Sequence, residues 1–208
     1  MANSILARCY HLDGIVYGMV QDIEACRYAF NIHKHVPVCQ KERNGNCLST
    51  AQIQAISNIF TGPVNSKGEA LYATQPYDPG LLGSNWASWK FESSVGTARD
   101  PVAVGIIFKV PPDLTVVQNS RQFAFNFNFD TDYPKLSAIN DTYQESAMSF
   151  MLPPNELNLD PLLYRGGKML IVQGAADGVF SVDDTQNWYD QLMQGYARLC
   201  EQYFSESI

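Results

Sequence analysis

The sequence predicts an α/β fold in which a short buried strand leads through an acidic loop into a long helix. The apolar run Lys168–Val172, bounded by glycines on both sides, is typical of a buried parallel strand. The helix is indicated by Ser181 as N-cap and Asp184 at the third helical position, and it is predicted to run toward Leu199. Hydrophobic residues make up 46% of the 208 residues, so a sizeable core can form.

The N-terminal part of the chain is predicted to be loop-rich as far as residue 47, because glycines and prolines interrupt every apolar period there. A helix follows, since Ser49 and Gln52 form a Ser-x-x-Gln capping box. Apolar residues recur at helical spacing along one face of this helix, at Ile53, Ile56, Ile59 and Phe60. Gly62 and Pro63 are predicted to end it.

The middle of the chain gives weaker patterns. Residues 72–101 are rich in glycine, proline, serine and aromatic residues, which predicts irregular structure with short helical pieces. The run 102–110 fits a helix or a strand. Between residues 123 and 129 phenylalanine alternates with other residues, which predicts a strand whose phenylalanine face is either a core face or a binding surface. A helix is predicted over 137–151, ended by two prolines.

Composition excludes several classes of function. The net charge is −7 with a pI of about 4.8, and no basic stripe is present, so neither nucleic acid nor a membrane is an expected partner. No apolar run approaches the roughly 20 residues that a membrane-spanning helix needs. The first 14 residues lack a charged segment followed by an apolar one, so no signal peptide is expected in this chain.

The cysteines point to an oxidising compartment. The sequence has five, Cys9, Cys26, Cys39, Cys47 and Cys200, and the first four lie within 39 residues of loop-rich sequence without a Cys-x-x-Cys pair. Two local disulfides fit this arrangement better than free thiols. Spacing does not determine their connectivity, but sequential pairing is the simplest choice. With this pairing, Cys200 has no disulfide partner among the other four cysteines, and its partner is expected outside the chain.

Asp177 is a candidate functional residue because it lies on the loop that follows the predicted strand. In doubly wound α/β sheets functional groups lie at the carboxyl ends of strands, where an aspartate can orient a histidine. The alternative is that Asp177 serves only as a turn or cap residue. Asp183 and Asp184 are nearby rivals, but their place at a helix start is better explained by favourable interaction with the helix dipole.

Several segments in the same order closely resemble the tannase/feruloyl esterase family. That family has a Cys-Asp-x-Leu-Asp-Gly-x-x-Asp-Gly loop, two further cysteines and a Cys-Leu-Thr-x-x-Gln segment. The matching segments here are Cys9–Val20, Ala25–Tyr28, Cys39, Cys47–Gln52, Ile59–Pro63, Asn65–Glu69, Phe127–Tyr133 and Gly166–Asp177. Together they are specific, although no single one is.

The resemblance implies a partial α/β-hydrolase core with a large, loop-rich, disulfide-pinned lid insertion. Residues 1–20 would be a core-to-lid segment, 21–150 the lid, and 151–208 the C-terminal core segment with its strand, acid loop and helix. It also implies a secreted or periplasmic serine esterase acting on esters of phenolic acids, with Asp177 as the acid of the catalytic triad. Four aromatic residues of the lid would either form a wall for the phenolic ring or pack within the lid: Tyr72, Tyr77, Trp86 and Trp89.

The triad's other two members do not match this chain. The family's serine elbow, of the Cys-Ser-x-Gly-Gly type, would precede Cys9, and its Gly-x-x-His-Cys segment would follow the last residue. The three histidines, His11, His33 and His35, all lie in the loop-rich N-terminal stretch, and His33 and His35 are expected to be exposed loop residues. We therefore expect an incomplete esterase chain carrying the lid and the triad acid. The alternative is a non-catalytic, lid-like fragment without hydrolase activity.

Calcium is the only cofactor that the resemblance implies. The family's acidic loop binds it through carboxylates and backbone carbonyls, which here correspond to Asp13, Ile15 and Met19. Tyr10 and Tyr17 stand where the family has two further acids. Because calcium requires about 6–8 hard oxygen ligands and its affinity follows their charge, we expect no tight calcium binding.

Overall fold

The computed structural model describes residues 1–16, 18–42, 45–93 and 96–205, with Ser84 and residues 198–205 described by their backbone alone. Within these ranges the secondary structure is helical. Two isolated β-bridges, Val38 with Leu48 and Val64 with Ala70, are the only strand-like pairings described. No helix in the described ranges is long and apolar enough to cross a bilayer.

The chain divides into two compact units. The first unit comprises Met1–Lys90 and Gln173–Asp184, and the second comprises Phe91–Val172 and Thr185–Ile208. The helices of the first unit are α1 Ala2–Cys9, α2 Ile23–Ala29, α3 Ile32–His35, α4 Thr50–Thr61, a 3-10 turn Pro79–Leu82 and α5 Ser84–Ser88. A π-helical turn, Trp89–Ser93, follows α5 directly.

The core of the first unit is organised around a disulfide. Cys9 at the end of α1 bonds to Cys26 in α2, and both cysteines are buried. Apolar side chains from the surrounding helices and loops complete this cluster: Ile5, Val20, Phe30, Ile32, Val36 and Ile53. A second disulfide joins Cys39 to Cys47 beside the bridge between Val38 and Leu48. The sequential pairing is thus the one found in the structure.

Helix α4 begins and ends where its sequence predicts. The Ser49 hydroxyl accepts a hydrogen bond from the Gln52 amide at 3.2 Å, and the Gln52 side chain accepts one from the Ser49 amide at 3.0 Å. This reciprocal pair is the predicted capping box. At the other end Gly62 has φ 78°, and a Cβ there would lie 2.7 Å from the Ala73 carbonyl oxygen. Glycine is therefore required at this helix end.

The second unit is built from shorter helices. They are α6 Arg99–Val102, a π-helical segment Ala103–Phe108, α7 Thr115–Gln118, α8 Ser120–Asn126, a 3-10 turn Tyr133–Leu136, α9 Ala147–Met151 and α10 Asp160–Leu163. The ambiguous run 102–110 is therefore mostly helical. Gly105 within it lies against Val116, and a Cβ there would be 2.8 Å from Val116 Cγ1, so its missing side chain permits close helix contact.

The predicted strand over 123–129 is wrong, because residues 120–126 form helix α8. Asn119 caps this helix by accepting a hydrogen bond from the Gln122 amide at 3.0 Å. Phe123 and Phe127 are four residues apart, and their ring centroids lie 6.2 Å from each other. Phe125 is exposed instead, so the alternating phenylalanines do not share a buried face. A period of two also contains every i, i+4 pair, which is why the pattern fitted a strand.

The helix predicted over 137–151 is confirmed only for Ala147–Met151. The side chain of Asn140 accepts hydrogen bonds from the Thr142 and Tyr143 amides, at 2.9 and 2.8 Å. This local turn takes backbone donors that a helix would use. Ser146 then caps α9 by accepting a hydrogen bond from the Ser149 amide.

The buried strand predicted at Lys168–Val172 does not form. The segment has no regular secondary structure, and no hydrogen-bonded strand neighbour is described for it. Leu170 is 88% exposed and Val172 is 85% exposed. A strand is stabilised by the ladder that it makes with neighbouring strands, and the described residues provide none. The α/β-hydrolase core segment over 151–208 therefore stays a prediction.

The last helix, α11 Val182–Ser205, confirms the predicted N-cap. The Ser181 hydroxyl accepts a hydrogen bond from the Asp183 amide at 3.1 Å. The side chain of Cys200 lies outside the described residues, so its partner stays an open prediction.

Candidate active site

Asp177 lies in the short loop between the apolar segment and helix α11. Its own amide donates a hydrogen bond to the Gly174 carbonyl at 3.3 Å. Its carboxylate Oδ1 accepts hydrogen bonds from the amides of Val179, at 2.7 Å, and Phe180, at 3.0 Å. The loop thus folds around its own aspartate, which is the geometry expected of a turn residue. The two hydrogen bonds to Oδ1 also fix the direction of the carboxylate.

Small residues let this acid loop, residues 174–180, approach the rest of its unit closely. Gly178 is buried against Trp86 and Trp89, since a Cβ there would lie 3.3 Å from Trp86 Cα and 3.4 Å from Trp89 Cβ. Gly80 leaves room for the side chain of Ala176 in the same way. A larger residue at 178 would push the loop away from the two tryptophans.

The negative charge of Asp177 affects the pKa values of two nearby side chains, the Lys90 ammonium and the Tyr72 phenol. Burial lowers the pKa of the Lys90 ammonium below its ordinary value, and the negative charge of Asp177 opposes that shift. Burial raises the pKa of the Tyr72 hydroxyl, and the charges of Asp184 and Asp177 raise it further. The acid loop is therefore electrostatically coupled to both side chains.

Ser181, which directly follows the acid loop, is hydrogen-bonded to residues 72 and 74. The Ser181 amide donates a hydrogen bond to the Tyr72 hydroxyl at 3.3 Å, and the Ser181 hydroxyl donates one to the Thr74 carbonyl. Asp183, which is 7% exposed, accepts a hydrogen bond from the Thr74 hydroxyl at 2.6 Å. These contacts hold both the loop and the start of α11 in one position.

An ion pair completes this anchor. Arg27 on α2 lies 2.8 Å from Asp183 Oδ2, and it also donates a hydrogen bond to the Thr74 hydroxyl at 2.8 Å. The helix dipole alone therefore does not explain Asp183, because its buried carboxylate also forms an ion pair with Arg27. Sequence reasoning missed Arg27 and Thr74 as positioning residues, since nothing in their local spacing indicates a contact so distant along the chain.

Two of the histidines have structural roles. His33 Nε2 lies 3.2 Å from the Ser57 hydroxyl, and His35 Nδ1 accepts a hydrogen bond from the Asn31 amide at 2.9 Å. The prediction that they are loop residues is wrong, because both lie in helix α3, where His35 bonds to its N-cap residue and His33 contacts α4. His11 stacks edge-on against Tyr10, with ring centroids 5.4 Å apart.

The predicted calcium loop offers few charged ligands. Asp13 Oδ1 accepts a hydrogen bond from the Ile15 amide at 3.0 Å, while the side chains of Ile15 and Met19 are exposed. Tyr17 lies outside the described residues. Asp22 is used as the N-cap of α2. No group of three acidic, histidine or cysteine side chains suited to a metal occurs in the ranges that the structure describes. The absence of tight calcium binding therefore stays a prediction.

Comparison with known proteins identifies the family. Residues 1–204 match the family model described as tannase and feruloyl esterase. The chain is 29% identical over 227 aligned positions to a mono(2-hydroxyethyl) terephthalate hydrolase from Piscinibacter sakaiensis, covering 96% of this chain and 38% of that protein. It is 22% identical to a probable feruloyl esterase B-1 from Aspergillus oryzae, covering 91% of this chain and 31% of that protein.

The fold has a relative among solved structures. The crystal structure of feruloyl esterase B from Aspergillus oryzae superimposes with a TM-score of 0.61 and 23% sequence identity, covering 94% of this chain and 35% of that chain. The chain therefore spans between 31% and 38% of the length of these relatives. Because the family model matches nearly every residue, the chain belongs to the tannase and feruloyl esterase family.

Proposed function

We propose that this chain is the lid and acid-bearing segment of a serine carboxylic ester hydrolase that acts on esters of phenolic acids. The observation that carries the proposal is the match of residues 1–204 to the tannase and feruloyl esterase family. The relatives named above are themselves called hydrolases or esterases. Since this chain spans about a third of their length, the serine and histidine would come from other parts of the complete enzyme.

In this proposal Asp177 is the acid of a catalytic triad. Its Oδ1 is held by the amides of Val179 and Phe180, which leaves Oδ2 able to accept the Nδ1–H of a histidine. The aspartate would then keep the imidazole in the tautomer and orientation that remove a proton from serine, and it would stabilise the imidazolium. The contacts of Ser181 and Asp183 with residues 72–74 would keep the carboxylate in place.

The apolar segment Lys168–Val172 would be the strand that carries Asp177 at its carboxyl end. Its exposed Leu170 and Val172 support this role, because large apolar side chains in sequence normally have a buried destination. Neighbouring strands of the complete enzyme would cover them. The triad acid would then lie at the edge of the sheet where α/β enzymes bind their ligands.

Two aromatic residues are candidates for a wall beside a phenolic ring. Tyr72 and Trp89 both lie next to the acid loop. Tyr77 and Trp86 have another role, since Tyr77 lies 4.7 Å and Trp86 6.0 Å, between ring centroids, from Phe60. For these two, contact within the core accounts for the aromatic side chain.

The proposal places the protein in a secreted or periplasmic setting, which the two disulfides support. It assigns no step to calcium, because tyrosines replace two of the acids that the family's loop uses as ligands.

The alternative is a lid-like module without hydrolase activity. The observation in its favour is that Asp177 Oδ1 already accepts hydrogen bonds from its own loop. His33 and His35 likewise make hydrogen-bonding contacts with Ser57 and with the Asn31 amide. A comparison of activities separates the two functions. Hydrolysis of methyl ferulate would be measured with the 208-residue chain and with the protein encoded by the gene together with its flanking sequence.

We expect turnover only in the longer protein, abolished by a serine-directed inhibitor. Turnover by the short chain would contradict our assignment of the serine to other residues, and absence of turnover in both would favour the alternative. In the active protein, Asp177→Asn should lower kcat by up to about 10⁴-fold, because the carboxylate that orients the histidine is lost.

Asp22→Asn is the matched control for that substitution. Asp22 Oδ1 also accepts a backbone amide, from Ala25 at 2.8 Å, and an asparagine oxygen can accept the same bond. Both substitutions therefore remove one negative charge and keep a side-chain oxygen that can accept the backbone hydrogen bonds. An equal, small effect of the two would contradict a catalytic role for Asp177.

A further inference from the structure

The second unit contains an open cavity of about 370 Å³ that the esterase proposal does not use. It lies between Lys109 and the helices α7 and α8. Its volume is at the lower end of the range of small-molecule sites, which suits a ligand of one or two rings. Ten residues line it: three ionic side chains, four carboxamides, two phenylalanines and the hydroxyl of Thr115.

Each ionic group that lines the cavity is paired with an opposite charge. Lys109 lies 2.8 Å from Asp113 and 3.2 Å from Asp132, and Lys135 lies 2.9 Å from Asp132. The Thr115 hydroxyl and amide also donate to Asp113. Hydrogen bonds from Lys109 and Thr115 lower the pKa of Asp113 to about 2. Hydrogen bonds from the Asn128 amide, Lys135 and Lys109 lower the pKa of Asp132 to about 2, so both carboxyl groups are ionised at neutral pH. Lys135 itself does not line the cavity, but it and Lys109 pair with the two carboxylates, so each charged group of the lining already has an oppositely charged partner.

The carboxamides supply paired donors and acceptors. Gln118, Asn119, Gln122 and Asn126 all line the cavity. The Gln122 side-chain NH₂ donates to Asn126 Oδ1 at 2.8 Å, which leaves Oε1 of Gln122 as an acceptor and the NH₂ of Asn126 as a donor. A hydroxyl group both donates and accepts, so an adjacent acceptor and donor match two neighbouring hydroxyls of a ligand.

The phenylalanines supply apolar surface beside these amides. Phe123 and Phe127 line the cavity, and the Lys109 ammonium lies 5.4 Å from the Phe123 ring centroid. A ring with apolar C–H faces and a rim of hydroxyls would meet both the amides and the aromatic surface. A charged ligand would instead compete with the ion pairs already formed, and a hydrocarbon would leave the amides unpaired.

We propose that this cavity binds a neutral, polyhydroxylated ring compound of the pyranoside class. The site does not depend on the esterase activity, and its test is a binding measurement. A free monosaccharide and a unit of a longer polysaccharide share this chemistry. Titration with methyl β-D-glucopyranoside, methyl β-D-galactopyranoside and a linear β-linked glucotetraose distinguishes these sources, because only a chain-binding site gains affinity from the tetrasaccharide.

We expect saturable binding of at least one probe with a dissociation constant of about 1 mM, as suits a small ligand with a few hydrogen bonds. The side-chain amide resonances of Gln122 and Asn126 should shift on titration. Glucuronate and cyclohexanol should bind at least about tenfold more weakly. Absence of saturable binding by any pyranoside, or equal binding of cyclohexanol or glucuronate, would overturn the proposal.

Gln122→Ala should weaken binding of the best probe about five- to tenfold, because it removes one acceptor and releases Asn126 from its pair. Gln54→Ala is the matched control, since Gln54 donates to Asn58 at 2.9 Å in α4 with the same i, i+4 geometry outside this cavity. Both substitutions are at exposed helical positions and should leave the circular dichroism spectrum unchanged. Equal weakening by the two substitutions would also overturn the proposal.

Discussion

The N-terminal core and the segment Lys168–Val172 are both strongly apolar, yet their burial is opposite. Ile5 and Phe30 in the core are at most 2% exposed, whereas Leu170 is 88% exposed. The described residues that pack in the core belong to the first unit, and a disulfide joins two of them. The described residues give Lys168–Val172 no neighbouring strand. An apolar sequence therefore indicates that a segment is destined for burial, but not which part of a protein will cover it.

The largest expected effect comes from breaking the core at its disulfide. Replacing Cys9 and Cys26 by alanine removes the covalent link between α1 and α2 at the centre of the buried cluster. We expect the free energy of unfolding to fall by about 2–4 kcal/mol, measured by urea denaturation.

The second disulfide provides the control for this measurement. Cys39 and Cys47 are separated by 8 positions, against 17 for Cys9 and Cys26, and they lie outside the main core. Replacing both by alanine should cost at least about 0.6 kcal/mol less, because a shorter loop restricts the unfolded chain less. Equal losses from the two pairs would contradict both the difference in loop length and any added contribution from burial around Cys9 and Cys26.

A smaller effect is expected where the same unit holds the acid loop. Arg27→Met leaves the buried Asp183 carboxylate without its cation, although the Thr74 hydroxyl still donates to it. We expect a loss of about 1–3 kcal/mol, the cost of an incompletely paired buried charge. The loss should be smaller in an Asp183→Asn background, because the charge that needs the cation is then absent.

The pair of substitutions forms a double-mutant cycle. If Arg27→Met costs as much with asparagine at 183 as with aspartate, the two side chains are not coupled. Arg8→Met is a matched control, since Arg8 is an exposed arginine on α1. It should change the free energy of unfolding by less than about 0.5 kcal/mol.

The sequence predicted those features that depend on neighbours along the chain. The capping box of α4, the N-cap Ser181 and the sequential disulfides all involve short separations, and the structure contains each of them. Residues with a local partner can be recognised because the partner lies within a few positions or within one loop.

The features that sequence reasoning missed depend on tertiary contact or on competing local bonds. Arg27 meets Asp183 only because α2 and the start of α11 come together in the folded unit. Phe123 and Phe127 fit a strand period and a helix spacing equally, and the cap Asn119 decides in favour of the helix. The acid loop was predicted from its strand-loop-helix order, but its catalytic role remains a prediction.

The smallest effect is expected in the apolar segment, and it sharpens the contrast with the core most directly. Leu170→Ser should change the free energy of unfolding of the 208-residue chain by less than about 0.5 kcal/mol, because the side chain is 88% exposed and loses almost no contact. Ile5→Ser is the matched control, and it should cost several-fold more, since Ile5 is fully buried. In a longer protein that supplies neighbouring strands, Leu170→Ser should instead cost about 2 kcal/mol or more, because the same side chain would be buried there. An equally small effect in both proteins would mean that no sheet covers Leu170, and Lys168–Val172 would lose its role as the strand that carries Asp177.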